Sequence, residues 1–127
     1  MTRLLTRIAL GAGLAALLIL VACSGPVLDP TGTYSGNFLL GGSTLPATSV
    51  ISGTSAANSW DHQLNVTGAP YSGTCTHDPS GTANNLTCTF ADSGLSGSMV
   101  GTLNGNTYSG NWSDDAAESG TFSMTRP

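Results

Sequence analysis

Two histidines and two of the three cysteines are the side chains of this 127-residue chain that we consider first as candidates for chemistry. His62 and His77 could form a polar spot in a ligand cavity or half of a metal site, or could be hydrogen-bonded structural residues. Cys75 and Cys88 lack the Cys-x-x-Cys spacing that favours a metal pair or a reactive dithiol. Two histidines with no carboxylate on the same face make a poor metal site. We therefore expect no metal and no cofactor.

Catalytic motifs give no support for an enzyme. Serine is so abundant that a Ser-His-Asp set could be assembled by chance, and the Gly-x-Ser-x-Gly motif does not occur. Asp114, Asp115 and Glu118 lie in one loop, where strand alternation would point the two aspartates apart. A weak cation contact is one interpretation of this loop, and a solvated acidic patch is the one that we favour. We expect a protein without enzymatic activity.

The first 22 residues have the organisation of a secretory signal peptide. Arg3 and Arg7 precede an apolar stretch from Ile8 to Val21. As a helix this stretch would reach about 21 Å, short of the roughly 30 Å hydrocarbon core of a membrane. It ends in Leu20-Val21-Ala22-Cys23, which resembles the lipobox of bacterial lipoproteins; an ordinary cleaved signal peptide is the alternative.

The resemblance implies that the Cys23 thiol receives a diacylglyceryl group, that residues 1–22 are removed, and that the new amino terminus is acylated. The protein would then be exported and held at a membrane of the cell envelope by fatty acyl chains such as palmitate. Two or more chains anchor a protein stably, whereas one binds only marginally. Ser24 stands where the family has an aspartate in lipoproteins retained at the inner membrane, so we expect the outer membrane.

Composition limits the partners of the mature chain, in which residues 23–30 form a spacer and residues 31–127 one domain. From Cys23 onward Arg126 is the only basic residue, against seven acidic ones. Nucleic-acid binding is excluded because a single arginine cannot neutralise a row of phosphates, whereas a basic protein partner is permitted. We expect a monomer.

In an exported domain, Cys75 and Cys88 are predicted to form a disulfide, and closing this loop would contribute about 3 kcal/mol to the free energy of unfolding.

Alternation of residue types predicts the fold. In segments of five to nine residues, apolar residues or glycine alternate with hydroxyl and amide residues, and all eight aromatic residues fall on the apolar side. The segment near Val50 has no clear phase. We predict an all-β fold, a small antiparallel up-and-down meander of about eight short strands closed into a barrel, with a β-sandwich as the runner-up. This plan resembles small lipocalin-like or avidin-like barrels.

Turn signals predict how these strands pair. Asn104-Gly105 is typical of a two-residue type I′ hairpin turn, and a second turn is expected at Gly68-Ala69. In the resulting registers glycine often lies opposite a bulky side chain. The predicted pairs include Gly101–Tyr108, Trp60–His77, Cys75–Cys88, Trp112–Gly120 and Gly110–Phe122.

Three functions remain after these exclusions. The first is a non-enzymatic, lipid-anchored envelope lipoprotein whose barrel lies at the surface or binds a partner. The second is a carrier of a small apolar or sugar-like ligand in an aromatic-lined barrel, although we favour a filled interior. The third is an inhibitor of a basic enzyme such as lysozyme. A ligand cavity would be lined by Trp60, His62, Tyr71, His77, Tyr108 and Trp112.

Overall fold

Eight antiparallel strands form a closed barrel in which each strand pairs with the next and β8 pairs with β1. This computed structural model describes residues 28–54 and 57–127, so the predicted signal peptide and Cys23 lie outside the described residues. The predicted up-and-down barrel is confirmed, and the β-sandwich alternative is wrong. Within these ranges no helix is long and apolar enough to cross a membrane. The strands are β1 Gly32–Leu40, β2 Ser43–Ser52, β3 Ser59–Val66, β4 Ala69–Thr76, β5 Asn85–Ala91, β6 Ser96–Asn104, β7 Thr107–Asp114 and β8 Ser119–Thr125.

The barrel interior is a packed apolar core. Every second side chain of a strand points inward, as the alternation predicted, and seven of the eight aromatic residues are buried while Tyr71 is half-buried. The rings contact one another: Tyr108 and Phe122 meet edge to face with their centroids 4.7 Å apart. The outward positions are mainly serine, threonine and asparagine, so the periodic pattern of the sequence corresponds to the inside and outside of the barrel.

Strand β2 has the phase that periodicity left open. Ala47, Ser49 and Ile51 point inward and are buried, whereas Val50 points outward and is 36% exposed. A polar residue inside and an apolar one outside weaken the alternation on which such predictions depend. The inward position of Ser49 is explained by its hydrogen bond to a buried histidine, described below.

Two of the predicted registers are wrong by two residues. Strands β6 and β7 pair Leu103 with Tyr108, so the turn is centred on Gly105 and Asn106 instead of Asn104 and Gly105. Among the described turn residues Gly105 has a positive φ of 61° and Asn106 does not, which is the pattern of a type II′ turn. Gly101 consequently lies opposite Gly110 and not opposite Tyr108.

The β3–β4 turn is displaced in the same way. Val66 pairs with Ala69, so that Thr67 and Gly68 form the turn, with φ values of 51° and 91°. Trp60 therefore lies opposite Cys75, not opposite His77. A displacement of two residues returns each side chain to the same face of the sheet, so the predicted inside and outside positions survive the error. The other three predicted pairs, Cys75–Cys88, Trp112–Gly120 and Gly110–Phe122, are confirmed.

The meander gives the barrel two distinct ends. The N-terminal end contains the start of β1, the end of β8 and the connections after β2, β4 and β6; Arg126 joins its two chain segments by donating hydrogen bonds to the carbonyl oxygens of Asp29 and Thr31. The far end contains the connections after β1, β3, β5 and β7. A segment that precedes Leu28 therefore joins the barrel at the end opposite to these four turns.

Candidate functional site

The residues predicted to line a ligand cavity do not form one site. His62 and Tyr108 are fully buried in the core. Trp60 and His77 lie towards the N-terminal end of the barrel. Trp60 is the second residue of β3, and His77 directly follows β4. Tyr71 and Trp112 come together at the far end, where they line a pocket with residues of several other strands. The six predicted residues thus occupy three separate places.

His62 forms a buried hydrogen-bonded network with two partners. Its Nδ1 lies 2.8 Å from the Thr89 carbonyl oxygen, and its Nε2 lies 2.7 Å from the Ser49 Oγ. Because a carbonyl oxygen only accepts, Nδ1 carries the proton, and the neutral ring then accepts a hydrogen bond from Ser49 at Nε2. Burial lowers the pKa of His62, and the bond to Thr89 opposes this effect without cancelling it. The ring is neutral and held in one tautomer.

The carbonyl that receives this bond lies where the pairing of β4 with β5 is interrupted. Between β4 and β5 the backbone pairing skips the positions around Thr74 and Thr89, and the Thr74 N–H donates to the Thr89 side-chain oxygen at 3.0 Å. Gly73 permits this arrangement because a Cβ at that position would overlap the Thr89 carbonyl oxygen. The interruption of the pairing thus leaves the Thr89 carbonyl oxygen available to His62.

A Ser-His pair in this geometry resembles half of a nucleophilic dyad, but its burial prevents such chemistry. Ser49 and His62 are each 0% exposed, and a general base must come within hydrogen-bond reach of its substrate. The pair instead satisfies polar groups inside the core, as the structural interpretation of the histidines expected. Every buried side-chain polar atom of the described residues has a hydrogen-bond partner.

The disulfide lies beside this network. Cys75 and Cys88 are bonded, as predicted, and face each other directly on β4 and β5. Together with His62 they bring three potential metal-ligand atoms within 4.8 Å of one another. A disulfide has no thiolate to offer a metal, and both His62 nitrogens are hydrogen-bonded. The oxidised cluster is therefore structural.

Two further candidates are also held by backbone carbonyl groups. The Tyr108 hydroxyl donates to the carbonyl oxygens of Leu86 and Met99, at 2.8 and 3.0 Å, and burial raises the pKa of this phenol far above its ordinary value. His77 Nδ1 lies 2.6 Å from the Asn85 carbonyl oxygen. These contacts fix the β4–β5 connection and the core, and they leave neither side chain pointing into a ligand cavity.

A small pocket occupies the far end of the barrel. Its volume is about 90 Å³, well below the roughly 300–1,000 Å³ of typical small-molecule sites. Seven apolar or aromatic residues and two acidic residues line it. The lining residues are Phe38, Leu45, Val66, Tyr71, Phe90, Leu95, Trp112, Asp114 and Glu118.

Acidic side chains are concentrated around this pocket. Asp92, Asp114, Asp115 and Glu118 belong to the far end, where the described chain has no lysine or arginine. The other three described acids, Asp29, Asp61 and Asp78, lie at the N-terminal end together with Arg126. The charge of the barrel is therefore polarised, and its far end is the more negative.

Sequence reasoning missed this pocket. It placed Asp114 and Glu118 in a solvated patch, and Glu118 is exposed while Asp114 is half-buried, but it did not foresee that both line a pocket beside Trp112. Leu45, Val66 and Leu95 were not recognised as lining residues, because each lies at the margin of a strand or in a turn. One signal was available: the acidic loop directly follows a strand that contains an inward tryptophan.

A larger groove on the outer wall has different chemistry. It has a volume of about 430 Å³ and follows β6, β7 and β8. Val100, which is 53% exposed, borders it, and its other lining residues are mainly neutral and polar. The groove contains no titratable side chain, so it has no group that could orient a charged ligand.

Comparison with known proteins adds no further constraint. No model of a known protein family matches the chain, and no curated protein is detectably similar to it.

Proposed function

We propose that this protein is a non-enzymatic, lipid-anchored lipoprotein of the bacterial cell envelope, whose barrel presents its far end to a protein partner. Lipid on Cys23 would hold it to the membrane, and the spacer up to Pro30 would connect that anchor to β1. A bacterium with two membranes would carry it on the outer one, because Ser24 follows the cysteine. The protein acts as a monomer and needs no cofactor.

The observation that carries this proposal is the relation between the chain ends and the pocket. β1 begins at one end of the barrel, and the pocket lies among the four turns at the other. An anchor attached before Leu28 would therefore leave the pocket end turned away from its point of attachment. This arrangement suits a protein that is fixed at one end and meets its partner at the other.

A binding role agrees with the chemistry of the core. The Ser49–His62 pair is inaccessible to solvent. Both cysteines of the described residues are bonded to each other, so that part of the chain has no free thiol. The pocket is about 90 Å³, well below the roughly 300 Å³ or more of a typical small-molecule site, so we place the carrier of a small apolar or sugar-like ligand below partner binding.

Inhibition of a basic enzyme is the second candidate function, and the polarised charge favours it. The far end has four acidic residues and no basic residue within the described chain. A basic enzyme would be attracted to this end, since complementary charge accelerates association and selects among partners. Lysozyme is one such enzyme. Inhibition of its activity by the purified protein would distinguish this function from passive binding.

Metabolic labelling with an alkyne fatty acid tests the anchor. We expect the wild-type chain to be labelled in a bacterial host and the Cys23→Ala variant to be unlabelled and released from membranes. The Ser24→Ala variant is the matched control and should keep the label. Equal labelling of the wild type and Cys23→Ala would disprove lipidation at this cysteine.

Membrane fractionation tests the destination in a host with two membranes. The wild type should sediment with the outer membrane, and Ser24→Asp should move to the inner membrane. Crosslinking of intact envelopes through a photoreactive residue at position 116 should capture a protein partner. The same residue at position 80, in the β4–β5 connection at the N-terminal end, is the control; equal capture at both positions would contradict a role for the far end.

A further inference from the structure

We propose that the far-end pocket binds the guanidinium group of an arginine side chain presented by a basic protein. This inference rests on the proposed function, because it names the chemistry by which the partner is recognised. The pocket belongs to the barrel itself, so its occupancy can be measured whether or not Cys23 carries lipid.

The walls of the pocket are aromatic rings packed against one another, and the half-buried Tyr71 is the most accessible of them. Phe38 and Trp112 stack with their ring centroids 5.3 Å apart and an interplanar angle of 30°. Tyr71 and Phe90 meet edge to face at 5.7 Å. A guanidinium group is planar and weakly hydrated, and it stacks on aromatic faces more readily than an ammonium group does. The pocket therefore favours arginine over lysine.

Two carboxylates complete the lining with free acceptor capacity. Asp114 Oδ1 accepts hydrogen bonds from the backbone N–H groups of Ala116 and Glu118, at 3.0 and 2.9 Å. These bonds fix the β7–β8 turn and leave Oδ2 without a hydrogen bond from any described residue. The Glu118 carboxylate has no partner within the described chain either. A guanidinium fork pairs well with such carboxylate oxygens.

At the opposite end of the barrel, an arginine of the chain itself lies against an aromatic ring. The Arg126 guanidinium carbon lies 5.4 Å from the centroid of the Tyr34 ring. Its Nη1 donates to the carbonyl oxygens of Asp29 and Thr31, at 3.0 and 2.6 Å, and its Nε donates to Asn106. An arginine thus covers an aromatic residue at one end.

The far end has the half-buried Tyr71 ring and the acceptors, but among the described residues it has no cation. Arg126 is the only lysine or arginine of the described residues, and its contacts hold it at the N-terminal end. A cation for the far end must come from another molecule. The pocket volume of about 90 Å³ suits the end of one side chain, whereas drug-sized ligands need roughly 300 Å³ or more.

The test uses the full chain, solubilised in detergent and isotope-labelled, titrated with N-acetyl-arginine amide. We expect saturable NMR shifts of the Trp112 indole N–H and of the Val66 and Leu95 methyl groups, while the Trp60 indole at the other end stays unchanged. N-acetyl-citrulline amide has the same shape without the charge and is the ligand control. N-acetyl-lysine amide should bind more weakly than the arginine derivative.

Two double variants, each lacking two negative charges, distinguish binding in the pocket from attraction by the overall negative charge of the far end. Asp114→Asn/Glu118→Gln should weaken arginine binding about fivefold, the combined effect of two partly exposed ion pairs. Asp92→Asn/Asp115→Asn removes two far-end charges outside the pocket and should change binding less than twofold. Glu118→Gln alone removes the charge of a side chain that makes no hydrogen bond within the described chain, so it keeps the test independent of folding.

Each contrary result overturns the inference. Equal shifts with citrulline would make the pocket a site for neutral groups, and equal weakening by the two double variants would reduce binding to a diffuse field. Absence of saturable shifts would disprove the site. A protein that binds arginine but carries no lipid would refute only the anchor, whereas a lipidated protein that binds no arginine would refute only this inference.

Discussion

The Trp112 indole Nε1 donates a hydrogen bond to the Leu39 carbonyl oxygen at a distance of 3.0 Å. Trp112 belongs to β7 and Leu39 to β1, and between them β8 contributes Gly120, which pairs directly with Trp112. The bond thus connects the first strand to the seventh across the eighth. It lies at the seam where the barrel closes and beside the far-end pocket.

A side chain at position 120 should open this seam. A Cβ on Gly120 would overlap the Leu39 carbonyl oxygen and stand 2.9 Å from the Trp112 Nε1. We expect Gly120→Ala to lower the free energy of unfolding by about 2 kcal/mol, the usual cost of overpacking, as measured by urea denaturation. Gly42→Ala is the control because its Cβ would meet no atom within 4 Å; equal losses would refute the role of the seam.

His62 should make the stability of the barrel depend on pH. Its pKa is lowered from 6.5 by burial, so between that value and the lower folded pKa the unfolded chain binds a proton that the folded chain does not. The free energy of unfolding should therefore be fully retained above about pH 6.5 and should fall below it, by at most about 1.4 kcal/mol per pH unit.

The His62→Gln variant isolates this effect. Glutamine does not titrate, and His77 is present in both chains, so the difference between their stability curves reports position 62. Urea denaturation of both proteins between pH 4.5 and 8 is the measurement. Parallel curves for the two chains would show that His62 has no part in the pH dependence.

The disulfide should supply a large share of the stability of this small domain. Cys75 and Cys88 are 13 positions apart, and closing a loop of that length contributes about 3 kcal/mol. We expect Cys75→Ala/Cys88→Ala to lose at least this amount in urea denaturation. The reduced wild type keeps the sulfur atoms but not the bond, so it separates the crosslink from the packing; reduction without loss of stability would contradict the prediction.

The β3–β4 turn has a residue poorly suited to its backbone. Thr67 has a φ of 51° beside Gly68, and positive φ is costly for a β-branched residue. Thr67→Asn would create the Asn-Gly pair that type I′ turns favour. We expect it to raise the unfolding temperature, with a gain of about 1 kcal/mol. Thr44→Asn, outside the positive-φ region, is the control and should not stabilise the protein.

The faces of the strands could be predicted from the sequence, and the registers only in part. Alternation depends on adjacent residues, so it placed Tyr34, Phe90 and Met99 inside without knowledge of their partners. A two-residue shift preserves that alternation, and the turns at Gly68 and Gly105 each admitted such a shift. Cys75 and Cys88 had no such freedom, because a bond must join them.

Less of the candidate site than of the fold could be predicted from the sequence. The sequence places an acidic loop with Asp114 and Glu118 directly after the inward-pointing Trp112. It could not show that Phe38 and Tyr71 line the same pocket. Those residues meet only when β8 pairs with β1 and encloses the far end. Ser49 likewise points inward because a histidine 13 positions away accepts its hydrogen bond.

The sequence by itself determined the acidic balance of the chain and the inside and outside of nearly every strand, and the proposal of export and lipidation rests on it alone, because each depends on residues that are neighbours along the chain. The tertiary structure decided the two registers, the buried Ser49–His62 pair and the far-end pocket. These depend on the closure of the barrel, which brings together residues such as Leu39 and Trp112 from opposite parts of the chain.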